Sequence, residues 1–173
     1  MSGQVYDVFL SRPTTLDSEF EQASESFYSF LASKNIKPRR LGKSDYSWQA
    51  PLKAVFQIID ECCGAIILGY PQFTLKHEAK RSSKVQNDWS HTFPTPWNHI
   101  EGTLAYRACV PVLVIAHMGV EGGVFDHGVT GESVLHIDLS MPTWFESAEF
   151  LQPFQQWFDE VEARITAARL SKE

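Results

Sequence analysis

Apolar positions alternate between two spacings along this chain, and the alternation predicts the fold. Val5–Leu10 and Ala65–Leu68 are short apolar runs that read as strands. Val110–Ala116 is apolar throughout, as expected of a parallel strand covered on both faces. Ile36–Leu41 is a further strand, and its Lys37, Arg39 and Arg40 put it at a sheet edge. Val134–Leu139 alternates as a last strand. Between these runs the period lengthens. Phe20, Ala23, Phe27, Phe30 and Leu31 recur at helical spacing, behind a capping box of Ser18 and Glu21. Pro51 fits the first turn of a second helix that buries Val55, Ile58, Ile59 and Cys62. Thr95 is the N-cap and Pro96 the first residue of a third helix. A C-terminal helix carries Leu151, Phe154, Trp157, Phe158, Val161 and Ile165 on its apolar side.

This alternation is that of a three-layer α/β domain. The strands suit a flavodoxin-like five-stranded parallel sheet of order 2-1-3-4-5, with residues 1–173 forming a single domain. In such sheets ligands bind beyond the carboxyl ends of the strands, where the order reverses. Ser11–Thr15, Gly69–Gln72 and the start of the third helix are expected to meet there. Phe73–Pro94 interrupts the rhythm as a long polar insertion without clear periodicity. A mobile flap over the site and a disordered surface excursion are equally consistent with its length and composition.

Composition narrows the partners. A net charge of −6 with no Lys/Arg run argues against a nucleic-acid partner. No apolar run approaches the ~20 residues needed to cross a bilayer. Cys62, Cys63 and Cys109 lie in apolar surroundings and read as reduced thiols of a cytoplasmic protein. The six histidines show no metal-binding spacing, so no metal and no cofactor are expected. The glycine-rich stretch Gly119–Gly128 lacks the ending of a P-loop. Turn geometry explains its glycines better than a phosphate cradle does, though backbone N–H groups there could approach a phosphate.

The candidate chemistry centres on Trp97 and Glu101, four residues apart and therefore on one helix face. A carboxylate beside an aromatic wall can stabilise the positive charge that develops on ribose as an N-glycosidic bond breaks, or form a glycosyl intermediate. A core Trp and a solvated Glu would show the same spacing. Arg12 follows the first strand and could pair with a pyrophosphate, or be a surface loop residue. Ser11 could bond ribose or phosphate, or shape a turn. Tyr70 could stack on a base, or pack internally. Asp45, with Tyr46 and Trp48, forms a polar–aromatic loop near the same edge.

Tyr6-Asp7-Val8-Phe9-Leu10-Ser11 resembles the opening strand of Toll/interleukin-1 receptor (TIR) domains. Thr95-Pro96-Trp97-Asn98-His99-Ile100-Glu101 is similar to the family's Ser-x-x-Trp-Cys-x-x-Glu region, and Ala108–Leu113 resembles the strand that follows. The likeness spans roughly residues 5–115. It departs at Asn98, where many TIR domains have Cys, and in Lys43–Trp48, which replaces the usual second box. The resemblance implies an enzyme that cleaves NAD, its substrate, at the nicotinamide–ribose bond, with Glu101 catalytic and Trp97 its neighbour. It further implies a nucleotide signal in prokaryotic antiviral defence, self-assembly into a homo-oligomer, and a downstream effector that senses the product. Nucleoside 2-deoxyribosyltransferases share the architecture and also use a helical Glu. A nucleoside or nucleotide N-glycosidase or deoxyribosyltransferase is therefore an alternative. A non-catalytic nucleotide-binding or TIR assembly module is another.

Overall fold

The computed structural model describes residues 4–42, 50–77, 89–130 and 134–170. Its main sheet contains strands β1 (Tyr6–Ser11), β2 (Ile36–Arg39), β3 (Gly64–Gly69), β6 (Val112–His117) and β7 (Leu135–Ile137). All pair in parallel, in the order β2-β1-β3-β6-β7. Counted within this sheet, that is the flavodoxin-like order expected from the pattern, with the basic strand β2 at an edge. Strands β4 (Phe73–His77) and β5 (Trp89–Phe93) form a separate antiparallel pair.

The two faces follow the two-residue period of the strands. Val8, Leu10, Ile66, Leu68, Leu113 and Ile115 face helices α1 (Ser18–Ser33) and α4 (Ala148–Leu170). They meet Phe20, Phe27, Leu31, Phe150, Phe154 and Trp157 in one core. Phe9, Ala65, Ile67, Val112, Val114 and Ala116 face the other way, toward helices α2 (Pro51–Glu61) and α3 (Pro96–Arg107). The α1/α4 side is filled by aromatic rings in edge and tilted contacts, such as Phe27 with Trp144 and Phe150. On the α2/α3 side Gly69 lets Phe125 pack against the sheet, because a Cβ there would sit 2.6 Å from the Phe125 ring.

Three local expectations change. Helix α1 is capped by Asp17 without a side-chain hydrogen bond; Glu21 has been drawn instead to Arg12, and the capping box is not formed. Leu151 lies on the exposed side of α4 rather than in its apolar stripe. The ends of the Phe73–Pro94 insertion are strands, which short polar sequence did not reveal. The pair is tied to the main body where Thr92 bridges Val120 and accepts from the Glu121 N–H at 3.0 Å. Residues 78–88, the middle of that insertion, lie outside the described residues.

Candidate active site

Thr95 caps α3 as expected, its hydroxyl oxygen accepting the Asn98 N–H at 3.2 Å, with Pro96 in the first turn. The cap fixes where the helix starts, and so aims its first turns at the carboxyl end of β1. Ser11, the last residue of β1, shares the parity of Phe9 and therefore points to the α3 side. Its hydroxyl donates to Glu101 Oε2 at 2.5 Å. The Asn98 side-chain amide donates to Ser11 Oγ at 2.9 Å and to the Leu68 carbonyl at 3.3 Å. Thr95 Oγ1 donates to Asn98 Oδ1 at 2.8 Å. Three polar residues, Ser11, Thr95 and Asn98, are thus joined to a partly buried carboxylate.

A cleft of about 370 Å³ opens over this group. Leu10, Arg12, Pro13 and Thr14 line it from the end of β1, and Arg40, Leu41 and Gly42 from the segment after β2. Pro51 closes it at the start of α2, and Thr95, Trp97 and Glu101 on α3. Trp97 is 44% exposed and stands at the rim. Burial pushes the Glu101 carboxyl above the ordinary carboxylate range, while the Ser11 hydrogen bond and the charge of Arg40 pull it back. Glu101 Oε1 takes no hydrogen bond among the described residues, which leaves that oxygen to meet a ligand.

The expected residues divide. Trp97 and Glu101 line the cleft, while Ser11 lies buried beneath it and meets Glu101 rather than the open space. Arg12 lines the cleft, but its guanidinium is buried and makes a two-pronged ion pair with Glu21 at 2.8 and 3.0 Å. Its parity with Val8 and Leu10 turns it toward α1, so it braces the wall rather than offering a charge to pyrophosphate. Tyr70 is 0% exposed, packed edge-on against Phe20 at 5.5 Å. It continues the parity of Ile66 and Leu68 into the α1/α4 core, where burial pushes its hydroxyl to about 12, and it has no face for a base. The loop after β3 accordingly gives the cleft no lining residue, and the segment after β2 supplies that wall. Asp45, with Tyr46 and Trp48, lies outside the described residues.

Arg40 was placed by sequence only as an edge-strand charge. It donates to the Tyr28 hydroxyl at 3.1 Å and to the Arg12 and Pro13 carbonyls at 3.3 and 3.4 Å, which holds it across the end of β1 beside Glu101. Asn98 was noted only as a departure from a motif. The available signal was its place at the third position after an N-cap and one turn before Glu101.

The glycine-rich loop after β6 packs inward: Val120, Val124 and Phe125 are buried, and Gly119, Gly122, Gly123 and Gly128 have positive φ. Turn geometry accounts for its glycines. At Gly123 a Cβ would lie 2.8 Å from His99 Nδ1. His99 stacks its edge on Phe125 and faces away from the cleft. Among the described residues, no group of three or more His, Cys, Asp or Glu is placed to hold a metal ion, and no helix is long and apolar enough to cross a membrane.

No family model and no curated protein matches the chain. Among solved structures it is similar to a CMP N-glycosidase of Clostridium botulinum, at 17% identity over 87% of this chain and 98% of that one, with a TM-score of 0.46. A likeness of that depth assigns no activity.

Proposed function

We propose that this protein breaks the N-glycosidic bond of a nucleotide or nucleoside, with Glu101 acting at the anomeric carbon. The observation that carries the reading is the Glu101 carboxylate itself. It is partly buried in a cleft, held through one oxygen by Ser11, and its other oxygen takes no hydrogen bond from the described residues. A carboxylate so held is suited to a carbon that gains positive charge as its bond to nitrogen breaks. In the covalent form of the reaction, Glu101 forms a C–O bond to C1′ while the C1′–N bond breaks. The electron pair leaves on the base nitrogen, which is protonated from solvent. Water, or a second base in a transferase, then attacks C1′ and frees Glu101. Trp97 supplies an aromatic edge against the sugar or base, and Arg40 contributes positive charge to the cleft wall.

A second reading is cleavage of NAD, followed by release of a nucleotide signal. It is supported by the resemblance of the Asp7–Ser11 strand and the Trp97-x-x-x-Glu101 helix start to TIR domains, and by the hydrogen bond between Ser11 and Glu101. Against it, the cleft is on the scale of a mononucleotide, and the Arg12 expected to meet pyrophosphate is committed to Glu21.

The test is to incubate purified protein with a panel of nucleosides, ribo- and deoxyribonucleoside monophosphates and NAD, and to follow free base by chromatography and mass spectrometry. Release of base from one class, lost in Glu101→Gln, is the expected result. Nicotinamide release alone would establish the second reading. Thermal stabilisation by nucleotides with no base released from any of them would instead mark a binding module.

A further inference from the structure

We infer that Asn98 is a positioning residue: its side-chain amide is pinned at both ends and directs the Ser11 hydroxyl proton onto Glu101. The inference rests on the reading of Glu101 as the group that meets the substrate.

The direction of each bond follows from donor and acceptor chemistry. The Leu68 carbonyl can only accept, so the Asn98 atom 3.3 Å from it must be the N–H₂ group. Thr95 Oγ1 already accepts the Asn98 backbone N–H, so its one proton goes to Asn98 Oδ1 at 2.8 Å. Flipping the amide would set Oδ1 against the Leu68 carbonyl, acceptor against acceptor, so its orientation is fixed. Its second N–H points at Ser11 Oγ, 2.9 Å away. With that lone pair occupied, and no acceptor on the Asn98 side, the Ser11 proton turns to Glu101 Oε2. Asn98 and Ser11 are each 1% exposed, so water does not compete for either.

The consequence is electrostatic. A Glu101 protonated on Oε1 would still accept the Ser11 proton at Oε2, but through a neutral carbonyl oxygen, a weaker bond than the one the carboxylate makes. The chain Thr95–Asn98–Ser11 thus favours the ionised carboxylate against the burial that opposes it. The other charged groups near Glu101 act separately. Arg40, from the segment after β2, favours the same charge, and Arg12, at the end of β1, is turned to Glu21 of α1. On the helices that face the cleft, Pro51, Thr95 and Trp97 are uncharged, and His99 packs on Phe125.

The experiment follows the Glu101 side-chain carboxyl by carbon-13 NMR through a pH titration, its signal assigned by its absence in Glu101→Gln. Wild type, Asn98→Ala, Ser11→Ala and the double variant are compared. Each single change is expected to raise the Glu101 midpoint, and Asn98→Ala to add nothing further once Ser11 is alanine. An unchanged midpoint in Asn98→Ala, or an equal rise in both backgrounds, would overturn the inference. If Asn98→Ala does not fold, Asn98→Ser, too short to bridge to Ser11, takes its place. The titration needs no turnover, so it stands or falls separately from base release. Where base release is measurable, Asn98→Ala is expected to lower kcat about tenfold, with the acidic limb of its pH profile moved upward.

Discussion

The two ends of the central sheet each carry an open cleft, and they differ in what lies beneath the surface. At the carboxyl end, a cleft of about 370 Å³ stands over Glu101. At the amino end, one of about 310 Å³ is lined by Gln4, Asp7, Glu61, Cys63 and Arg169, among others. Size and the mere presence of carboxylates do not separate them. At the amino end Glu61 is 63% exposed in its side chain and pairs with Arg39, and burial pushes the Cys63 thiol up to about 11, away from the reactive thiolate. At the carboxyl end the polar groups are buried and joined by bonds whose direction is set. A protein spends stability on a desolvated carboxylate only where packing and hydrogen bonds over-determine it, and such a place is the better candidate for chemistry.

The strongest way to break this contrast is at Glu101 itself. Glu101→Gln keeps size and one hydrogen-bond acceptor but removes the charge, and base release is expected to fall by roughly 10³-fold or more. Kinetics on the substrate found in the panel check it, and retained activity would leave the carboxyl end no better qualified than the amino end. Trp97→Ala is expected to act next, raising KM about tenfold with a smaller change in kcat, because it removes an aromatic contact at the rim and little of the core. Its melting temperature should stay close to wild type.

Stability against pH sharpens the same comparison. Burial raises the Glu101 midpoint in the folded state above its value in the unfolded chain. Folding is therefore relatively favoured where Glu101 is protonated in both states, and that advantage is lost as pH rises through the folded midpoint. Glu101→Gln is expected to be more stable relative to wild type at pH 7 than at about pH 4, where the difference closes. Urea unfolding at the two pH values measures it. The smallest effects belong to the amino end: Cys63→Ser and Glu61→Gln should leave base release within about twofold of wild type, the latter with a stability change within about 0.5 kcal/mol. A large loss of activity in either would mean that the amino-end cleft matters.

Much of this was legible before folding because strand and helix periods state directions. The alternation through Phe9 and Ser11 sends Ser11 to the α3 side, and the same rule sends Arg12 and Tyr70 the other way. Reading Arg12 and Tyr70 as ligand contacts set that parity aside in favour of their place at a strand end. Thr95 and Pro96 announced the start of α3, since capping is a local matter. The β4–β5 pair was not legible. Its one short apolar–polar alternation, Phe73 to Lys76, is exposed rather than turned to a core, and its strands are held by each other and by the Thr92–Val120 bridge.

By itself, then, the sequence determined the order of the main-sheet strands and their helices, the two buried faces and the helix turn that carries Trp97 and Glu101. These depend on spacings of a few residues. Only the tertiary structure decided that Ser11 and Glu101 meet across 90 positions, that Arg12 is spent on Glu21, and that Arg40 rather than the loop after β3 walls the cleft. Those contacts depend on strand register and on where α3 settles against the sheet. Both are set by the packing of the whole core, and no local pattern along the chain records them.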